Sequence, residues 1–124
     1  MSIYIPKRND IVWLDFEPVK GKEIGKYRPA LVLSSEEYNE NTGLVICCPI
    51  STSIRGHQTE VDVDNLENKS VVASSLIQTL SWKDRKAKLI AQAEDGVLDQ
   101  VLLRLIPLIG GADLIENIIN EQLN

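Results

Sequence analysis

Hydrophobic and polar positions change rhythm along this chain in ways that separate strands from helices. Asp10-Ile11-Val12-Trp13-Leu14-Asp15-Phe16 carries β-branched and aromatic residues with a period near two toward its end, closed by Pro18, which predicts a first strand. Ala30-Leu31-Val32-Leu33-Ser34 and Leu44 to Ile50 are continuous apolar runs of strand length, the pattern of central strands covered on both faces of a curved sheet. Between them, Ser35 followed by Glu36, Glu37 and a closing Asn41-Thr42-Gly43 predicts one or two helical turns behind a serine cap. Thr59 to Asp64 alternates valines with acids and reads as a strand with one solvated face. Asn65 to Lys69 is a turn, and Ser70–Ala73 and Leu76–Leu80 continue the β pattern up to Trp82.

The last quarter switches to helical spacing. Val97, Leu98, Val101, Leu102, Leu105 and Ile106 stand behind Glu94 and Asp95, acids that suit a helix N-terminus. Pro107 bends or ends that helix before Gly110-Gly111, because proline removes a backbone donor and clashes with the preceding turn. Leu114, Ile115, Ile118, Ile119 and Leu123 form a second apolar stripe, with Asp113 as its expected cap. Many short strands followed by helices predict a mainly β fold with C-terminal α structure: a small closed barrel, one long C-terminal helix and a short helical extension. No repeat recurs at periods of ~20 to 50 residues.

Length makes this one domain, 1–124, with the barrel at about 8–92 and the helical part at about 94–124. No apolar run approaches the ~20 residues of a membrane span, and the N-terminus lacks the apolar core of a signal peptide. A soluble, cytoplasmic protein is expected. Cys47 and Cys48 are adjacent on a predicted strand, so they point to opposite faces as buried hydrophobes. They can neither bond each other nor build a metal site, and no metal or cofactor is expected.

The net charge of -5 looks wrong for a partner of nucleic acid until it is mapped. Residues 1–58 carry seven cations and seven acids, residues 59–90 five and five, and residues 91–124 one and six. All the excess acid therefore lies in the C-terminal quarter. Lys20, Lys22, Lys26 and Arg28 face a single acid, Glu23, in one glycine-bearing loop, so a local positive surface is compatible with the acidic whole. Pro29 stiffens the base from which Arg28 projects.

This loop suits a phosphate. RNA supplies its own nucleophile, the 2′-hydroxyl beside the scissile phosphate. Cleavage then needs a base, a cation for the developing charge, an acid for the 5′-oxygen and donors on the phosphoryl oxygens. Glu23 can be the base, and the planar fork of Arg28 matches a phosphate. Ser51 or Thr52, at the end of a buried strand, can donate to a phosphoryl oxygen; a turn satisfying its own backbone is the plainer role for both. A surface ion pair is likewise the plainer role for Glu23 and Arg28. His57 and Arg55, in the polar loop from 51 to 58, can contact RNA or be solvated. The run Trp82-Lys83-Asp84-Arg85-Lys86-Ala87-Lys88 is either a solvated edge or a strip on which Trp82 stacks while Arg85 and Lys86 hold phosphates.

Asp10 to Pro18, Gly21-Lys22-Glu23, Arg28 to Ser34 and Cys48-Pro49-Ile50-Ser51 together resemble the MazF/PemK/Kid toxins of bacterial toxin–antitoxin pairs, over roughly residues 9 to 110. The resemblance implies a dimeric SH3-like barrel with a C-terminal helix, a sequence-selective and metal-independent endoribonuclease that cuts single-stranded mRNA, and a cognate antitoxin that covers the RNA surface. By position, Arg28 matches the family's loop arginine, Glu23 its loop glutamate and Ser51 its usual threonine, with Thr52 one place on. Some relatives place an arginine and an aspartate in the segment matching Val72–Leu76, where this chain has Ala73 and Ser75; its chemistry then falls to Glu23, Arg28 and the loop hydroxyls. Ala112 to Asn124 looks like an extension. Two other functions fit the same barrel: a gyrase poison like the CcdB toxins, against which the ending Glu121-Gln122-Leu123-Asn124 argues, and a non-catalytic RNA-binding domain.

Overall fold

The computed structural model describes residues 3–123. Seven antiparallel strands form one curled sheet: β1 (Asp10–Asp15), β2 (Tyr27–Val32), β3 (Leu44–Ser51), β4 (Glu60–Val63), β5 (Ser70–Ala73), β6 (Gln78–Ser81) and β7 (Lys88–Gln92). The strand order is β4-β5-β3-β2-β1-β7, with β6 also paired to β3. The sheet is therefore an SH3-like half-barrel that stays open between β4 and β7. Side chains bridge that gap: Asn65 Nδ2 donates to the Gln92 carbonyl and Glu94 accepts the Asp64 amide.

β3 is the longest strand and touches three others. Its first half pairs with β6, its middle with β2 (Ala30 opposite Pro49, Val32 opposite Cys47) and its end with β5 (Ser51 opposite Val71). Both faces of the sheet are covered, which is why β2 and β3 are continuously apolar. One core joins Ile11, Leu31, Cys48, Ile50 and Val72 to Val97, Val101 and Leu105 of the first C-terminal helix; the other joins Val12, Leu14, Phe16, Ala30, Val32, Val45 and Cys47 to Trp82. Cys47 and Cys48 fall on opposite faces, both free, with their thiols pushed up to about 12 by burial. They are packing residues rather than nucleophiles.

A short helix, α1 (Glu36–Thr42), connects β2 to β3 with Ser35 as its N-cap and Gly43 closing it in the left-handed conformation. The fully buried Asn39 locks this connection: its Nδ2 donates to the carbonyls of Pro6 and Ser34, its Oδ1 accepts from Ser34 Oγ, and its carbonyl accepts from Trp82 Nε1 at 2.7 Å. Trp82 is thus committed to the interior, 4% exposed, and offers no face on which a base can stack.

Three further expectations are corrected. Leu76 belongs to a single 3₁₀ turn, Ser74–Leu76, before β6 begins at Gln78. The basic run after Trp82 leads into a strand, β7, that the charge pattern hides. The long helix is α2 (Val97–Leu108), and the extension is a helix of similar length, α3 (Gly111–Leu123). Pro107 lies in the last turn of α2, which closes with tighter bonds, Ile109 N to Ile106 O and Gly110 N to Pro107 O. Gly110 then takes φ 82°, and Gly111 lies so close to Ile106 that a Cβ would meet its Cγ2 at 2.6 Å. Asp113 sits inside the first turn of α3 rather than capping it, and no residue of α3 is buried. No helix of the described residues is long and apolar enough to cross a membrane.

Replacing Asn39 strands several buried groups at once. Asn39→Ala should lower the unfolding free energy by about 2–3 kcal/mol, read from urea denaturation; an effect within experimental error would show that the hub carries no weight.

Candidate functional site

A cleft of about 440 Å³ opens where three segments meet: the β1–β2 loop (Lys22, Glu23, Ile24, Gly25), the end of β3 with the following loop (Ser51, Ser53, Arg55, His57, Thr59, Glu60) and the end of β5 with its 3₁₀ turn (Val71, Ala73, Ser75, Leu76). Ser51 is placed by strand pairing. β3 pairs with β2 as far as Ala30 opposite Pro49 and with β5 at its end, where Ser51 stands opposite Val71. Ser51 Oγ accepts the Ser53 amide at 3.0 Å, which leaves its hydroxyl proton to donate outward. Thr52, in the bend just past β3, is absent from the cleft lining.

The β1–β2 loop is tied down by its own polar groups. Glu17 Oε1 accepts the Lys26 amide at 2.8 Å, and Phe16 N donates to the Lys26 carbonyl, holding Lys26 at φ 74°. Glu23 Oε1 accepts the Lys20 amide at 2.7 Å. Arg28 Nε donates to the Gly25 carbonyl at 2.6 Å, which ties the guanidinium to a cleft-lining residue. Partial burial lowers the Arg28 pKa from its ordinary value, because the desolvated cation lacks a compensating charge.

Glu23 and Arg28 do not pair with each other. Among the described residues one ion pair forms, Lys7 with Glu36 at 4.0 Å, outside the cleft. Lys22 and Arg55, which line the cleft, form no ion pair, and Arg28, bonded to the cleft-lining Gly25, lies outside the lining itself. His57, the one histidine, lines it as well.

Other residues of the expected RNA surface lie elsewhere. Lys20 and Lys26 are exposed on the same loop but outside the lining, as is Lys86 on the turn before β7. Arg85 is a structural clamp: its Nη1 donates to the carbonyls of Asp15 and Glu17, where the first loop leaves β1. Sequence reasoning missed Ser53, Thr59 and Glu60; Glu60 was masked by an alternating strand that reads as solvated. It also missed an exposed stack of Trp13 on Tyr27, ring centroids 5.5 Å apart, with Tyr27 donating to the Lys86 carbonyl.

Residues 7–109 match the family model described as PemK-like, MazF-like toxin of type II toxin-antitoxin system. The chain belongs to this family. It is 37% identical over 87 residues to the endoribonuclease toxin MazF of Escherichia coli K12, covering 70% of this chain and 78% of that one. Against the endoribonuclease EndoA of Bacillus subtilis it is 31% identical over 103 residues, 78% and 88% of the two chains. The crystal structure of MazF from Deinococcus radiodurans superposes with a TM-score of 0.84 at 38% identity, covering 87% of this chain and 99% of that one. The toxin–antitoxin family thus accounts for the half-barrel and α2, whereas α3 lies beyond the matched residues.

The loop tether is open to a direct test. In Gly25→Ala the new Cβ meets Glu17 Oε1, and Val19 Cγ1 at 2.9 Å, so the loop must shift. Amides between Lys20 and Lys26 should exchange with solvent about tenfold faster, at a stability cost of roughly 1 kcal/mol; unchanged exchange would show that the loop is not held by this contact.

Proposed function

We propose that this chain is the toxin of a type II toxin–antitoxin pair and an endoribonuclease that cuts single-stranded mRNA in the cytoplasm, without a metal, by attack of the 2′-hydroxyl on its neighbouring phosphate. The observation that carries the reading is a cleft that gathers Lys22, Glu23, Ser51, Arg55 and His57, with Arg28 bonded to its Gly25 wall, and in which none of these cations forms an ion pair among the described residues. Arg28 balances the charge that grows on the phosphoryl oxygens, and Ser51 donates its hydroxyl proton to one of them. Glu23, whose Oε1 is engaged by Lys20 N, has a second carboxylate oxygen with which to take the 2′-hydroxyl proton. Lys22, Arg55 and His57 hold the strand along the cleft, and Ala73 and Ser75 leave the β5 wall without a titratable group.

Membership of the family and the endoribonuclease names of the relatives support this reading over a gyrase poison. A solved complex of MazE with MazF from Deinococcus radiodurans, 38% identical in the toxin with a TM-score of 0.77, supports a protein antitoxin as the partner. Leu103, Leu108 and Ile109 of the α2 end, each more than half exposed, support a second copy of the chain as another, since apolar patches of this kind mark contact surfaces.

Purified protein incubated with a long single-stranded RNA in EDTA should yield fragments with 2′,3′-cyclic phosphate ends. Arg28→Ala should slow the cutting about a hundredfold or more, and Ser51→Ala about tenfold. RNA left intact by the wild-type protein, yet still shifted in a gel, would replace the enzyme by a non-catalytic RNA-binding domain.

A further inference from the structure

The loop between β3 and β4 has no regular structure, and Arg55 and His57, on either side of Gly56 at its tip, line the cleft. One side chain accounts for its shape. Glu60, the first residue of β4, turns its carboxylate back over the loop: Oε1 accepts the amides of Arg55, Gly56 and His57 at 3.2, 2.8 and 3.3 Å, and Oε2 accepts the Arg55 amide at 3.3 Å. Its own amide donates to the His57 carbonyl at 3.0 Å. Three consecutive N–H groups thus converge on one anion, a backbone nest filled from within the chain. Gly56, at φ 75°, supplies the left-handed step that lets them converge.

β4 is a rigid base for this contact, because Glu60 pairs with Ala73 of β5 and Ala73 lines the same cleft. The carboxylate therefore ties the loop that carries Arg55 and His57 to the wall opposite. We propose that Glu60 is a positioning residue that sets Arg55 and His57 for RNA; the inference rests on the RNA reading of the cleft given above.

The claim has a sign that charge alone cannot produce. Glu60 is an acid in the lining of a cleft for a polyanion, so if it were only a charge its removal would tighten RNA binding. A positioning role predicts weaker binding when it is removed. Glutamine retains a carbonyl oxygen for the Gly56 and His57 amides, so E60Q should keep most of what E60A loses.

Binding of a fluorescein-labelled single-stranded RNA with 2′-O-methyl riboses, which cannot be cut, reads this directly by anisotropy. Glu60→Ala should raise Kd about fivefold or more and Glu60→Gln less than twofold, with the Glu60→Ala effect vanishing in an Arg55→Ala/His57→Ala background. In the free protein, Glu60→Ala should also speed exchange of the Gly56 and His57 amides, a readout independent of RNA. Tighter or equal binding by Glu60→Ala, or a full effect persisting without Arg55 and His57, would overturn the proposal. Failure of the wild-type protein to bind or cut any RNA would instead remove the functional reading, and unaltered amide exchange in Glu60→Ala would remove the positioning role by itself.

Discussion

The register between β2 and β3 is the constraint on which the site depends. β3 pairs with three strands, and both faces of the sheet are packed, so a slip of one residue would exchange Cys47 for Cys48 and turn every side chain of the strand to the wrong core. Two residues beyond the last β2–β3 pair, the same strand carries Ser51 opposite Val71 of β5 and into the cleft. Packing of apolar residues at the middle of the strand thus decides, at its end, where the Ser51 hydroxyl stands in the cleft. The geometry of the cleft is inherited from the core.

Beyond the strands, the loops are shaped by side chains that accept backbone amides. Glu17 and Glu23 do this for the first loop, with Arg85 holding its base by two carbonyls, and Glu60 does it for the second. Each bond is partly exposed and worth little alone. Together they set the loops without giving either a secondary structure of its own. They also divide the acids and bases near the cleft into those consumed by the scaffold and those left for a ligand: Lys22, Arg55 and His57 keep their side chains for the latter.

Much of the fold was legible. Continuous apolar runs at Ala30–Ser34 and Leu44–Ile50 marked the central strands, and Ser35 and Gly43 marked both ends of α1, because capping chemistry is local. β7 was hidden because Lys88 and Leu89 lie on exposed positions and its pairing to β1 is wholly non-local. The extension was underestimated because Pro107 and Gly110-Gly111 read as an end, whereas they form an elbow between two helices. Glu23 and Ser51, both in the cleft lining, stood out by residue type and order, as did Arg28, which joins the cleft only through its bond to Gly25. Trp82 and Arg85 misled for a physical reason: a tryptophan among cations looks like a stacking platform, but the indole N–H is taken by the Asn39 carbonyl and the guanidinium by Asp15 and Glu17. Such commitments to distant backbone groups leave no trace in local sequence.

The central claim is that one phosphate is gripped by groups from two strands. A crystal structure of the protein with a short RNA carrying a 2′-deoxy sugar at the cut position measures it most directly. The account predicts the scissile phosphate within hydrogen-bond distance of both the Arg28 guanidinium and Ser51 Oγ, beside Glu23. A phosphate seated elsewhere, with Arg28 still bonded only to Gly25 and Ser51 only to Ser53, would contradict it.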